Sequence, residues 1–346
     1  MATATVEVRA GGGRVIRLPR LTLWYAWLIG FYCAWAALNQ VGEHWSEVRE
    51  HWPIALAMAL GSFVAGSTPM GGGTVGFPVL VLFFDLPASL GRNFGLSIQA
   101  IGMTSASIFI LCRRIAIERR VLGLSIPGSA FGLLVGTFAL VPAISDEIVK
   151  LVFACMWMGF GVLTLVKNRE FCELEGVPII RYVRAAPIGL SVGFLGGLTT
   201  SLTGVGIDML LYTVLILLYR MDVKVAVPTS VIVMAVSSVM GSGIHLGIGD
   251  LGRDVFYHWA AAAPVVILGA PLGALVVNVI PRSATLYCVA ALCVLQFFWT
   301  LYQVEPSYDQ WLFVGASLAS ATFGLTLLYR VGRSSATTVE SVAERS

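Results

Sequence analysis

The chain has 346 residues, of which 57% are apolar and only 12% charged, with a formal net charge of +3. Soluble domains carry roughly 25% charged residues, so too little charge is present to cover a water-facing surface, and a soluble globular fold is excluded. The basic residues sit in short clusters between apolar runs, which does not make a nucleic-acid face. Six cysteines without CxxC or metal spacing imply neither a disulfide framework nor a metal, and no cofactor is expected.

The first apolar run, Leu21 to Leu38, follows Arg9, Arg14, Arg17 and Arg20. That pattern also opens a signal peptide, and Ala34-Trp35-Ala36 resembles a cleavage site. The run is long enough to span a bilayer and heavy in Trp and Tyr, so it reads as a retained helix. Further along, full-length apolar runs occur near 90–111, 121–142, 147–167, 225–247, 255–280, 284–303 and 310–330. With 21–41 they make eight predicted spans.

Two other stretches, 53–86 and 185–219, behave differently. Each is about 34 residues long, roughly 50 Å as helix, which is too long for one pass through about 30 Å of hydrocarbon. Each is also interrupted by glycines near its centre. Loop charge sets how they lie, because Arg and Lys accumulate on the cytoplasmic side. The basic N-terminus and Arg113, Arg114, Arg119 and Arg120 are placed inside, and the acidic segment from Gly42 to Trp52 outside. The stretch 53–86 then enters and leaves from outside. From the other end, Arg330, Arg282, Arg220 and Lys224 lie inside and Glu305, Asp309, Asp250 and Asp254 outside, so 185–219 enters and leaves from the cytoplasm. Both are predicted re-entrant hairpins, and both termini are cytoplasmic.

The hairpins align with each other. Ala65 to Gly73 falls on Thr200 to Asp208, an offset of 135 residues (200 − 65), and Gly132-x-x-x-Gly136 falls on Gly269-x-x-x-Gly273 at nearly the same offset. Each copy holds a hairpin and three spans. An odd number of crossings inserts the second copy upside down, giving an all-α polytopic membrane protein built as an inverted repeat. The predicted divisions are 1–52 for the tail and first helix, 53–167 for repeat 1, 168–184 for a cytoplasmic connector, 185–303 for repeat 2, and 304–346 for the last helix and tail.

Inverted repeats with broken helices are a transporter architecture. A chain break in hydrocarbon is tolerated only inside protein or along a polar cavity. The returning half-helix begins with free N–H groups at the positive end of its dipole, and glycine lets a ligand come close. Two such tips would hold an anion without a buried Arg or Lys. The candidate ligand-facing turns are therefore Gly71, Gly72 and Gly73, and Gly204, Val205 and Gly206, with tight-turn geometry alone as the competing reading.

Thr74 and Asp208 fit as N-caps of the returning half-helices. Asp208 is the one acidic residue placed well inside the membrane, which also makes it a candidate for proton coupling. Asn93, Ser97 and Gln99, with Thr229 and Ser230 on the mate helix, are candidate neutral donors, or else bond their own backbone. Arg92 reads as an interfacial anchor and His245 as a local hydrogen-bonding residue. His44, His51 and His258 show no ligand spacing. Gly247-Ile248-Gly249-Asp250 matches the GxGD of intramembrane aspartyl proteases, but it sits at an outer loop with no second aspartate in a preceding helix. HExxH, GxSxG and a P-loop are absent.

On Met70-Gly71-Gly72-Gly73 and Gly204-Val205-Gly206, Pro228-Thr229-Ser230, Pro127-Gly128 with Gly132 and Gly136, and Pro271 with Gly269 and Gly273, the chain resembles the TauE/SafE sulfite exporter family over about 53–303. The resemblance implies a secondary transporter, of exporter type, for sulfite, a sulfonate or a related small organosulfur anion, in a cell membrane such as a bacterial inner membrane. Its expected partners are that anion and the lipid bilayer. Nucleic acid is not among them, and oligomeric state is not legible. The competing classes are an uptake permease for another small anion, an integral membrane enzyme, which would need convergent titratable groups at one depth, and a sensor, which would need a sizeable soluble domain.

Overall fold

The computed structural model describes residues 5–9, 15–19, 21–68, 73–174, 182–276 and 282–343. A short antiparallel hairpin, β1 (Thr5–Arg9) with β2 (Val15–Pro19), precedes a wholly helical body. Its helices are α1 (Thr22–Val41), α2 (Trp45–Glu50), α3 (Trp52–Ser67), α4 (Gly73–Phe77, running into a π-turn Pro78–Phe83), α5 (Ala88–Cys112), α6 (Arg119–Val135, extended by irregular turns to Ala143), α7 (Asp146–Glu173), α8 (Tyr182–Thr203), α9 (Ile207–Leu217), α10 (Val223–Gly247), α11 (Arg253–Val276), α12 (Arg282–Val304) and α13 (Tyr308–Ala343).

Among the described residues, seven helices are long and apolar enough to cross a membrane: Ala88–Cys112, Arg119–Ala143, Asp146–Glu170, Ala185–Thr203, Val223–Gly247, Arg253–Leu275 and Tyr308–Arg333. Ala185–Thr203 is the first arm of the second predicted hairpin, and the other six match predicted spans. The remaining predicted spans, 21–41 and 284–303, are helices α1 and α12. Trp24, Tyr25, Trp27, Tyr32, Trp35, Asn39 and Gln40 keep α1 below the same apolarity, and in α12 the apolar stretch is Ala290–Val304. The outer surface carries exposed Phe131, Phe138, Leu272, Phe298 and Phe323, while Ser105, Ser129, Thr200, Ser201, Thr229, Ser230 and Ser237 are buried. An apolar exterior around a polar-lined interior suits lipid, not water. The protein is an all-α polytopic membrane protein.

Both predicted interruptions are real breaks. Pro69 follows Thr68, and the residue before a proline is driven out of the α region. Thr68 accordingly adopts φ −139° and ψ 165°, which ends α3. The α8–α9 break is made by glycine: Gly204 has φ +79° and Gly206 φ +128°. After each break the chain doubles back. A Cβ on Gly196 would stand 2.6 Å from Ile207 Cγ1, and one on Gly61 would stand 2.8 Å from Val75 Cβ. Gly61 and Val75 are 14 residues apart (75 − 61) and would lie roughly 21 Å apart in one continuous helix. Gly61 and Gly196 are themselves separated by 135 residues (196 − 61).

The packing of the two halves recurs in the same way. Helix α3 packs on α11 as α8 packs on α6, α5 packs on α10, and α7 on α12. Glycines let the first two pairs touch backbone to backbone. A Cβ on Gly66 would strike the Ala270 carbonyl and one on Gly273 the Phe63 carbonyl, while Gly128 and Gly132 press on the carbonyls of Leu190 and Phe194.

Charge sorts to the two ends of the bundle. At one end Arg220 pairs with Glu170 at 2.7 Å, Arg113 and Arg114 follow α5, and Arg119 and Arg120 open α6. At the opposite end Asp146 accepts from the Ala88 N–H at 3.2 Å and Glu147 from Gln310 at 2.7 Å.

Candidate functional site

The break between α8 and α9 is buried: Val205 and Ile207 are fully enclosed and Asp208 nearly so. Its polar groups are held from within the loop. Thr203 Oγ1 lies 3.0 and 2.9 Å from the carbonyls of Thr199 and Val205. The Ile207 N–H donates to Thr200 Oγ1 at 3.3 Å. Asp208 Oδ1 accepts from the N–H groups of Gly206, at 3.3 Å, and Met209, at 2.9 Å. Asp208 is therefore not the N-cap, a position taken by Gly206. It sits in the first turn, where a negative charge meets the positive end of the helix dipole, and its carboxylate occupies part of the space that the free N–H groups would offer an anion.

Helix α5 closes over this tip. Gln99 Nε2 donates to the Gly204 carbonyl at 2.9 Å and to its own Gly95 carbonyl at 2.9 Å. A Cβ on Gly204 would stand 2.6 Å from the Arg92 carbonyl oxygen. Arg92 is thus no interfacial anchor. It is only 5% exposed, it packs its backbone on the tip, and its Nη2 donates to Asp250 Oδ2 at 3.0 Å. A cation buried near the start of an apolar helix needs a partner, and the loop after α10 supplies one. A tip without a buried cation, as expected from glycine geometry alone, is not what forms.

The other predicted residues divide. Asn93 joins Arg92: its Nδ2 donates to the Asp250 carbonyl at 2.9 Å and to Oδ2 at 3.0 Å, while its Oδ1 accepts from Arg92 Nε at 3.0 Å. Ser97 lies one turn along α5, its Oγ buried with no partner among the described residues. Thr229 and Ser230 bond mainly to backbone. Thr229 Oγ1 donates to the Val225 carbonyl at 2.6 Å and accepts the Glu118 N–H at 2.9 Å, and Ser230 Oγ donates to the Val227 carbonyl at 2.8 Å. Beside them, a one-water space of about 10 Å³ is lined by Gly66, Pro228 and Lys224, so this end of α10 faces the first break. Gly71 and Gly72 lie outside the described residues. Gly73 opens α4, which puts Thr74 inside the helix instead of at its N-cap.

Asp250, the aspartate of the GxGD match, joins this cluster as the counter-charge of Arg92. Burial pushes its carboxyl up, but hydrogen bonds from Asn93 and His245 and the charge of Arg92 outweigh that and hold it below the usual carboxylate range. A lowered carboxyl stabilises the fold above its unfolded pKa and loses that contribution as pH falls through the folded value. The facing groups are Arg92, Asn93 and His245, with Asp146 acting on Arg92. The unfolding midpoint of the wild type should therefore exceed that of Asp250→Asn at neutral pH, and the gap should narrow as the pH falls below about 4 and through the lowered folded value. A gap that does not narrow as the pH falls below about 4 would refute the ionised pairing.

The model of the sulfite exporter TauE/SafE family matches residues 54–300. The chain belongs to the TauE/SafE family. No curated protein and no solved structure matches it. Membership makes the chain a protein of a membrane transporter family, and the matched region covers α3 through most of α12, with both breaks inside it.

Proposed function

We propose that this TauE/SafE chain is a secondary transporter, of exporter type, that carries sulfite or a small organosulfonate across the cell membrane. The observation that carries the proposal is the helix break at Gly204–Gly206, enclosed in the bundle and packed against the backbone of the buried cation Arg92. A break within a membrane bundle is tolerated only where it is buried in protein or lines a polar cavity, and this one lies against a cation. A buried guanidinium offers directional donors to a flat or pyramidal oxyanion.

In this reading, the two halves are inverted copies whose re-entrant hairpins enter from opposite faces, and the basic end lies in the cytoplasm with both chain termini. Alternating access then comes from rocking one half against the other about the breaks. Gly204 and Gly206 bring backbone to the anion, Arg92 supplies the charge, and Ser97 supplies a neutral donor. Asp208 couples proton movement to anion movement: protonation would free the N–H groups of Gly206 and Met209 and remove a repelling charge.

Proteoliposomes loaded with sulfite, sulfoacetate or thiosulfate across a pH gradient test this. Flux of at least one is expected, lowered roughly tenfold or more by Arg92→Gln, in line with losing a charged hydrogen-bond donor. In Asp208→Asn, flux should no longer follow the pH gradient. No flux with any of the three anions would overturn the substrate class, and unchanged pH dependence in Asp208→Asn would remove the coupling role.

A further inference from the structure

At the end of the bundle opposite the arginine cluster, three donors from two helices converge on one oxygen. Asp250 Oδ2 receives Arg92 Nη2 at 3.0 Å and Asn93 Nδ2 at 3.0 Å from α5, and lies 2.8 Å from His245 Nδ1 on α10. The donors and their occupant differ in burial. Arg92, Asn93 and His245 are 5%, 2% and 1% exposed, whereas the Asp250 side chain is 42% exposed. The donors are fixed on packed helices. The carboxylate arrives on the loop Gly247-Ile248-Gly249-Asp250-Leu251-Gly252, whose three glycines have open space around them.

Below this point the interior holds more unanswered polar groups. His245 Nε2, Ser97 Oγ, Ser242 Oγ and Ser238 Oγ are all buried with no partner among the described residues. Ser97 is one turn along α5 from Asn93. Ser242 and Ser238 are one and two turns along α10 from His245, on the same helical face. Unpaired buried hydroxyls cost free energy, and several in line between two helices mark a route for a polar ligand.

We propose that Arg92, Asn93 and His245 form an oxyanion cradle at the entrance to the transport path, and that Asp250 is a tethered occupant which a substrate oxygen replaces when the glycine loop swings away. The carboxylate oxygen presents the same chemistry as an oxygen of sulfite or a sulfonate: full or shared negative charge, small size and several lone pairs for charge-assisted donors. Displacement exposes Asp250 to water, where it is already half-way, and leaves Arg92 paired by the incoming anion. Asp250 thus sets a threshold, since only an anion that answers all three donors competes with a carboxylate held next to them. This inference rests on reading the chain as an anion carrier, but its test reads binding and not flux.

The test uses the full chain in lipid nanodiscs, with calorimetric titration and thermal unfolding. Removing the tether in Asp250→Ala leaves Arg92 buried and uncompensated, which destabilises the free protein. Sulfite and methanesulfonate are then expected to bind roughly tenfold more tightly than to the wild type and to raise the unfolding temperature of the variant. Asp250→Asn, which keeps the shape and loses the charge, should show the same trend more weakly, and serves if the alanine variant does not fold. Adding Arg92→Gln should abolish both gains. The proposal is overturned if the Asp250 variants bind no tighter than wild type, if the gain survives Arg92→Gln, or if chloride at equal concentration restores stability as well as sulfite. Wild-type flux with no gain in the variants would sink the cradle alone. A gain in the variants without wild-type flux would sink the transporter reading alone.

Discussion

Alanine at Gly204 or Gly206 should lower anion flux at least tenfold and lower the unfolding temperature with it. The two positions fail for different reasons. Gly206 has φ +128°, a region open essentially to glycine, and its Cβ would stand 2.9 Å from Thr199 Oγ1 and 3.2 Å from the Met156 methyl. Such backbone strain costs about 1–3 kcal/mol. Gly204 at φ +79° is less strained, but its Cβ would press on the Arg92 carbonyl at 2.6 Å, a backbone atom that cannot move without moving α5. The overlap would shift Arg92 relative to Asn93 and Asp250, so Gly204→Ala should also weaken the Asp250 pairing. Gly243→Ala is the comparison, because that glycine is helical with nothing near its Cβ and should leave flux unchanged. Equal flux in all three variants would mean that the tip is a plain turn without a part in transport.

Much of this architecture is legible in the residues because its causes are local. Apolar runs of membrane length, Pro69 behind Thr68, and Gly204 and Gly206 flanking one residue announce helices and breaks within a few positions. The capping expectation missed at both positions: Gly206 takes the N-cap before Asp208, and Thr74 lies inside α4 behind Gly73. The Arg92–Asp250 pair could not be read that way. Its partners stand 158 residues apart (250 − 92) and meet only because α5 packs on α10. A signal was nonetheless present: an arginine four residues inside an apolar helix needs a counter-charge, and Asp250 is an acid in a glycine-rich loop at the same end.

Close helix contacts make the second large effect, on stability. In α6, a Cβ on Gly128 would strike the Leu190 carbonyl and stand 3.0 Å from the Phe194 nitrogen, whereas one on Gly123, five residues earlier, would meet nothing within 4 Å. Gly123→Ala should leave the protein unchanged or stabilise it by up to about 1 kcal/mol, the ordinary gain of alanine over glycine in a helix. Gly128→Ala sets Cβ against backbone on both sides of a packed interface. Overpacking of that kind costs about 1–3 kcal/mol, more where no flexible side chain can yield. The α3–α11 interface repeats the device, with Gly66 on the Ala270 carbonyl and Gly273 on the Phe63 carbonyl, so Gly66→Ala and Gly273→Ala should destabilise to a similar degree. Thermal unfolding in nanodiscs would show the ordering, with Gly123→Ala at or above wild type and the other three well below it. Both halves failing alike is what two copies of one packing unit require. Sensitivity confined to α6 and α8 would mean that the second interface is held by its larger side chains and only resembles the first in sequence.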